Sequence, residues 1–142
     1  MGTIKAVCTS NVKGIQKSEQ PSIELRPDWG IEGDAHAGNW HRQVSLLNYD
    51  AIEHFKALGA DVENGAFGEN IIVEGFDLKA LPIGTRFQTN ETVLELTQIG
   101  KECHAHCAIY HKMGDCIMPR EGVFCKVING GVINVGDSIE II

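Results

Sequence analysis

Residues 127–133 read Val-Ile-Asn-Gly-Gly-Val-Ile, two β-branched pairs separated by Asn129, Gly130 and Gly131. Branching at Cβ favours extended backbone, and Asn and Gly tolerate the positive φ of a tight reversal. The stretch predicts two strands joined as a hairpin. The same grammar continues outward, with apolar or β-branched runs at Gly122 to Ile128, Thr92 to Gln98, Asn70 to Glu74, Val44 to Leu47, Ser22 to Leu25 and Thr3 to Thr9, and at Ser138 to Ile142 on the other side. The runs are separated by Gly, Asn or Asp, and their close spacing predicts a mainly β fold closed into a barrel.

Helical signals are fewer. Asp50 to Leu58 carries Ile52, Phe55, Lys56 and Leu58 bracketing one face, with Gly59 as a C-terminal stop. A second helix is expected over Cys103 to Lys112, where a 3.6-residue period gathers Cys103, Cys107 and His111 on one side. Neither a repeat nor a compositional break divides the chain, so residues 1–142 are expected to form one domain.

Composition narrows the function classes. The chain is 43% hydrophobic and 22% charged, near globular averages, so it should fold throughout. A net charge of -7 opposes nucleic-acid binding, which needs a concentrated basic surface. A small anion needs only a few donors, and Arg42, Lys101, Lys112 and Arg120 are available. No basic leader precedes an apolar run and no segment approaches the ~18 apolar residues of a span, so no membrane association and a cytoplasmic location are expected. Five cysteines, an odd number without an export signal, are then core residues, ligands or nucleophiles rather than a disulfide framework.

Three polar motifs interrupt the strands. In Gly30-Ile-Glu-Gly-Asp-Ala-His-Ala-Gly-Asn39, followed by Trp40-His-Arg-Gln-Val44, glycines permit close approach while Asp34, His36, His41 and Arg42 supply charge and hydrogen bonds. The segment reads either as an anion-binding loop or as a connector that caps strands. Asn64-Gly-Ala-Phe-Gly-Glu-Asn70 leads into Ile71-Ile-Val73; Glu69 and Asn70 can orient a ligand, though in isolation a shaped structural turn explains them.

The third motif, Gly100-Lys-Glu-Cys-His-Ala-His-Cys-Ala-Ile-Tyr-His-Lys-Met-Gly-Asp-Cys116, is the densest chemical signal. Cys103, His104, His106, Cys107, His111 and Cys116 combine soft sulfur with imidazole nitrogen, a donor set suited to zinc, copper or molybdenum. Thiolate chemistry competes with metal binding, because Lys101 and nearby imidazolium groups can lower a cysteine pKa and create a nucleophile or sulfur carrier. A bland alternative places Cys107 and Cys116 in apolar gaps. Cys125 alternates with its neighbours like a strand residue and is expected in the core.

Taken in order, Gly30 to His36, Arg42-Gln-Val44, Gly65-Ala-Phe-Gly-Glu-Asn70, the cysteine stretch, Gly122-Val-Phe-Cys-Lys-Val127 and Gly130-Gly-Val-Ile-Asn-Val-Gly-Asp137 resemble the MOSC family, named for the molybdenum cofactor sulfurase C-terminal domain. The resemblance runs from about Lys5 to Ile142. It implies a MOSC-type β-barrel with a few peripheral α-helices and a pocket for the molybdenum cofactor, a phosphate-bearing pterin dithiolene (molybdopterin). The implied functions are sulfur transfer to that cofactor, without pyridoxal phosphate, or molybdenum-dependent reduction of N-hydroxylated compounds with an external electron donor. Partners on this view are the small-molecule cofactor and a molybdoenzyme, sulfur donor or electron-donor protein.

By motif, Cys103 or Cys107 is similar to the key cysteine and is the expected catalytic residue, while Asn70 matches the Asn after the Phe. Arg42 is the expected partner for the phosphate end, with Asp34, His36, Glu69 and Lys101 completing the cofactor-binding set. The expected metal donors are Cys103, Cys107, His104, His106 and Cys116. Two cysteines four residues apart depart from the simplest family pattern and permit a two-thiol mechanism, one carrying persulfide sulfur and the other resolving it. The alternative is a non-enzymatic cofactor carrier, or a zinc-binding module that uses the same Cys/His cluster.

Overall fold

The computed structural model describes residues 2–12, 16–59, 61–100 and 121–142. Its strands are β1 (Gly2–Thr9), β2 (Ser18–Gln20), β3 (Ser22–Arg26), β4 (Gly30–Ile31), β5 (Val44–Asn48), β6 (Ile71–Glu74), β7 (Arg86–Thr89), β8 (Thr92–Ile99), β9 (Val123–Asn129), β10 (Gly131–Asn134) and β11 (Ser138–Ile141), with helix α1 (Tyr49–Ala57) after β5. The protein is mainly β, as the alternating sequence requires. The expected helix at 103–112 and the motif running from Lys101 through Cys116 lie outside the described residues.

Seven strands close on themselves in the order β11-β7-β8-β9-β5-β6-β1, with β1 returning to β11 through Gly2↔Ile139 and Thr3↔Ser138. Strand β1 serves two partners along one edge. Its first residues meet β11, and Val7 to Thr9 pair with β2. A register shift between Ile4 and Ala6 bends it against β6, the kind of kink that lets a sheet close. The barrel pairs are antiparallel except β5 with β6, whose parallel register needs a crossover connection, and α1 lies on it.

Alternation along the strands sorts side chains onto two faces. Val44 and Leu46 enter the barrel core with Ile4, Ile71, Val73, Phe87, Leu94, Leu96, Cys125 and Ile139. Leu47, Ile72 and Phe124 face the other way and pack with Ile52 and Phe55 of α1 and with Phe67. Phe55 and Phe67 meet edge to face, ring centroids 5.7 Å apart. Leu58, expected on the apolar face, is instead 63% exposed because the helix gives way to its C-cap there, ahead of Gly59 at φ +108°.

The Asn129-Gly130-Gly131 stretch corrects the hairpin expectation. Strand β9 does pass into β10 at these residues, but β10 pairs with β3 in a separate sheet, β10-β3-β4, rather than folding back on β9. The glycines permit close crossing: a Cβ on Gly130 would lie 2.4 Å from the Leu25 carbonyl oxygen, and one on Gly131 would lie 2.6 Å from Thr92 Oγ1. The tight reversal sits elsewhere, at Asn90 (φ +54°) between β7 and β8. Among the described residues no helix is long and apolar enough to cross a membrane.

Candidate functional site

Most of the buried polar side chains gather where β1, β2 and the loops before β5 and β6 converge. The Asn64–Asn70 turn is built around Glu69, whose two carboxylate oxygens accept the N–H groups of Gly65 and Phe67, each at 3.0 Å. Burial pushes the Glu69 carboxyl up, against those two bonds. The Asn70 amide ties three strands together: Oδ1 accepts from Ser45 N and Oγ, and Nδ2 donates to the Cys8 carbonyl at 3.1 Å. The turn in turn positions residue 17. Gly65 accepts the Lys17 N–H at 3.0 Å, and a Cβ on Gly65 would stand 2.2 Å from the Lys17 carbonyl oxygen.

Lys17 brings its ammonium inward. Nζ donates to Asp34 Oδ1 at 2.7 Å, with side-chain exposures of 1% and 0%, and lies 2.9 Å from His36 Nδ1. Asp34 also accepts the N–H groups of Ser10 and His36. Burial alone would raise its pKa, but hydrogen bonding from His36, Lys17 and Ser10 and the lysine charge hold its carboxyl well below the usual carboxylate range. The neighbouring Cys8 thiol is pushed up to about 12, first by burial and then by Glu69 and Glu19, with Lys17 opposing. It is a protonated wall residue, not a poised nucleophile.

The same loop then carries Trp40, His41 and Arg42. Trp40 Nε1 donates to the His36 carbonyl at 2.8 Å. The Arg42 guanidinium lies between two rings, 4.9 Å from that of Trp40 and 5.6 Å from that of Phe124. Its Nε is buried and has no hydrogen-bond partner among the described residues. On either side the chain is fixed: His41 Nε2 meets Gln98 Oε1 at 2.8 Å, and Gln43 Oε1 accepts the Val127 N–H at 2.9 Å. A cation clamped between aromatic faces, with an N–H left over, suits an anionic group bound beside it.

The MOSC domain model matches residues 33–140, most of the chain and the part of this site from Asp34 onward, leaving Cys8, Ser10 and Lys17 outside the match. The chain belongs to the MOSC domain family. Among solved structures, the YuaD protein from Bacillus subtilis superposes with a TM-score of 0.77 at 18% identity, over 99% of this chain and 96% of that one. YiiM from Geobacillus stearothermophilus gives 0.76 at 17% identity, over 100% and 75%. YiiM from Escherichia coli gives 0.67 at 15% identity, over 99% and 69%. At these identities the likeness is one of fold. No match was found among curated protein sequences.

Within this MOSC domain the expected cofactor-binding residues fall into three roles. Glu69 and Asn70 are fully buried, and their polar atoms are committed to main-chain groups and to Ser45. Asp34 is committed to Lys17 and to two backbone N–H groups. His36 is part-exposed, and Arg42 keeps a buried Nε without a partner among the described residues, under the Trp40 ring. Lys101 and the expected metal donors lie outside the described residues, among which no group of three or more His, Cys, Asp or Glu side chains could hold a metal ion. Lys17 was not legible as a site residue. In Gln16-Lys17-Ser18-Glu19 it looks like any solvated lysine, and only the fold brings it to Asp34 and His36.

Proposed function

We propose that residues 1–142 act as one cytoplasmic MOSC domain that binds the molybdenum cofactor, with Arg42 holding its phosphate end and Trp40 flanking it. The observation that supports this most directly is the buried Arg42 Nε, an N–H facing no partner among the described residues while the guanidinium is bracketed by Trp40 and Phe124. An orphaned buried donor is costly unless a ligand meets it. MOSC domains are associated with molybdenum-cofactor proteins, which fits an anion at this position. When bound, the cofactor supplies a redox-active metal and a dithiolene sulfur environment.

The protein's own contribution is to fix the ligand, to present an imidazole edge from His36, and to bring thiols from the cysteine stretch. Cys103 or Cys107 is the thiol we assign to sulfur transfer or to reduction of N-hydroxylated compounds, supplied by a sulfur-donor or electron-donor protein. Anaerobic purification followed by metal and pterin analysis tests the binding. Stoichiometric pterin with molybdenum is expected, and wild-type protein that neither carries nor takes up molybdopterin overturns the proposal. Arg42→Ala should weaken molybdopterin binding roughly 10- to 150-fold, equivalent to about 1.5–3 kcal/mol for a charge-assisted hydrogen bond. Its circular dichroism should be unchanged, because Arg42 Nε serves no acceptor among the described residues. Arg42→Lys keeps the charge but loses the flat fork, so it should recover only part of the affinity.

A further inference from the structure

Burying an ammonium is tolerable only when it is paired and hydrogen-bonded. Lys17 satisfies this with two partners, Asp34 Oδ1 at 2.7 Å and His36 Nδ1 at 2.9 Å. Asp34 by itself supplies the countercharge, so the histidine is an additional partner rather than a required one. An ammonium has protons to give and no lone pair to offer. The His36 Nδ1 that faces it is therefore the acceptor; Asp34 Oδ2 lies 3.8 Å from the same nitrogen, too far to take a proton from it, so in the neutral ring the proton sits on Nε2. The His36 side chain is 37% exposed, whereas the Lys17 and Asp34 side chains behind it are 1% and 0% exposed. Solvent therefore reaches the opposite edge of the ring, which carries Nε2–H.

The ring's frame is equally constrained. His36 N–H donates to Asp34 Oδ2 at 3.1 Å, and its carbonyl accepts from Trp40 Nε1 at 2.8 Å. Trp40 then stacks on Arg42. Through Gly65, the Asn64–Asn70 turn sets the Lys17 main chain. Both polar motifs upstream of the cysteine stretch thus converge on the orientation of one imidazole, whose main-chain carbonyl is tied through Trp40 to Arg42.

We infer that Lys17 is a positioning residue that fixes His36 as the Nε2–H tautomer, giving the phosphate end of the ligand a second directed donor from the loop that carries Arg42. This rests on the cofactor proposal above. A structural role for the Lys17–Asp34 pair alone needs neither a single tautomer nor a contribution to binding, so the two ideas separate by measurement.

The test uses the full chain labelled with 15N-histidine and long-range proton–nitrogen correlation, His36 being assigned by its absence from His36→Asn. Wild-type protein should show one tautomer, with Nδ1 an unprotonated acceptor and Nε2 protonated, and adding molybdopterin should move the His36 Nε2 resonance. Lys17→Met should average the two tautomers and weaken molybdopterin binding about tenfold with Arg42 intact. Because that variant leaves Asp34 buried without a countercharge and can unfold, Lys17→Met/Asp34→Asn serves as the second variant, with the same expectation. A mixed or Nδ1–H tautomer in the wild type overturns the inference whatever the protein binds. Unchanged affinity in a folded Lys17 variant overturns the donor role while leaving the cofactor proposal standing. Wild-type protein that shows the fixed tautomer yet takes up no molybdopterin overturns the cofactor proposal and the ligand contact together, and confirms the tautomer alone.

Discussion

At Gly65 the absence of a side chain decides how the site is assembled. Its φ of +91° lies in the left-handed region, and a Cβ would meet the carbonyl oxygen and carbon of Lys17 at 2.2 and 2.8 Å. Those are main-chain atoms and cannot swing aside. Gly65→Ala should therefore cost more than the ~1–3 kcal/mol of left-handed strain alone, as read by urea unfolding. Gly33→Ala is the control. Its φ of +83° is similar but nothing lies within 4 Å of the added methyl, so it should cost only the strain; equal losses at the two positions would show that the Lys17 contact is soft. The glycine and the Glu69-Asn70 pair were visible in the sequence as a shaped turn. What the turn holds was not, because burial of Lys17 follows from a contact 48 positions away along the chain, at Gly65, and leaves no local pattern.

Elements were legible where side-chain periodicity carries the information. The main strands of the barrel and α1 follow from alternation and from helical spacing, since burial on one face is what selects those residues. Strands β2 and β4, of three and two residues, are too short to show a period, and β7 (Arg-Phe-Gln-Thr) carries a single apolar residue, Phe87. The Gly130-Gly131 signal was read as a turn because glycine marks a tight reversal and a close backbone crossing alike. Within α1 the structure divides the apolar residues. Phe55, 2% exposed and meeting Phe67 edge to face, anchors the helix to the outer face of the sheet, while Leu58 is solvated. Phe55→Ala should destabilise by about 3–5 kcal/mol, and Leu58→Gln should stay within ~0.5 kcal/mol. Denaturant midpoints of the two variants check this; a comparable loss at Leu58 would mean that residue is covered.

On the scale of the whole molecule, closing β1 onto β11 leaves the barrel wall continuous, and it seals two thiols on separate strands, Cys8 on β1 and Cys125 on β9. Burial pushes both thiols up, Cys8 to about 12 and Cys125 beyond the ordinary thiol range, with Glu95 adding to the effect at Cys125. In the unfolded chain each ionises near the ordinary ~8.5. Above that pH the unfolded state binds fewer protons than the folded state, so stability falls as pH rises, and the contribution is fully present only below the unfolded value. The slope approaches about 1.4 kcal/mol per pH unit for each thiol. Urea unfolding between pH 8 and 10, before the bulk of Lys and Tyr side chains titrate, should therefore show a steep loss of stability in the wild type and a flatter one in Cys8→Ala/Cys125→Ala. Both thiols should also resist alkylation in the folded protein over this range. If the double variant keeps the wild-type slope, the alkaline sensitivity belongs to other groups and the barrel wall does not hold these thiols protonated.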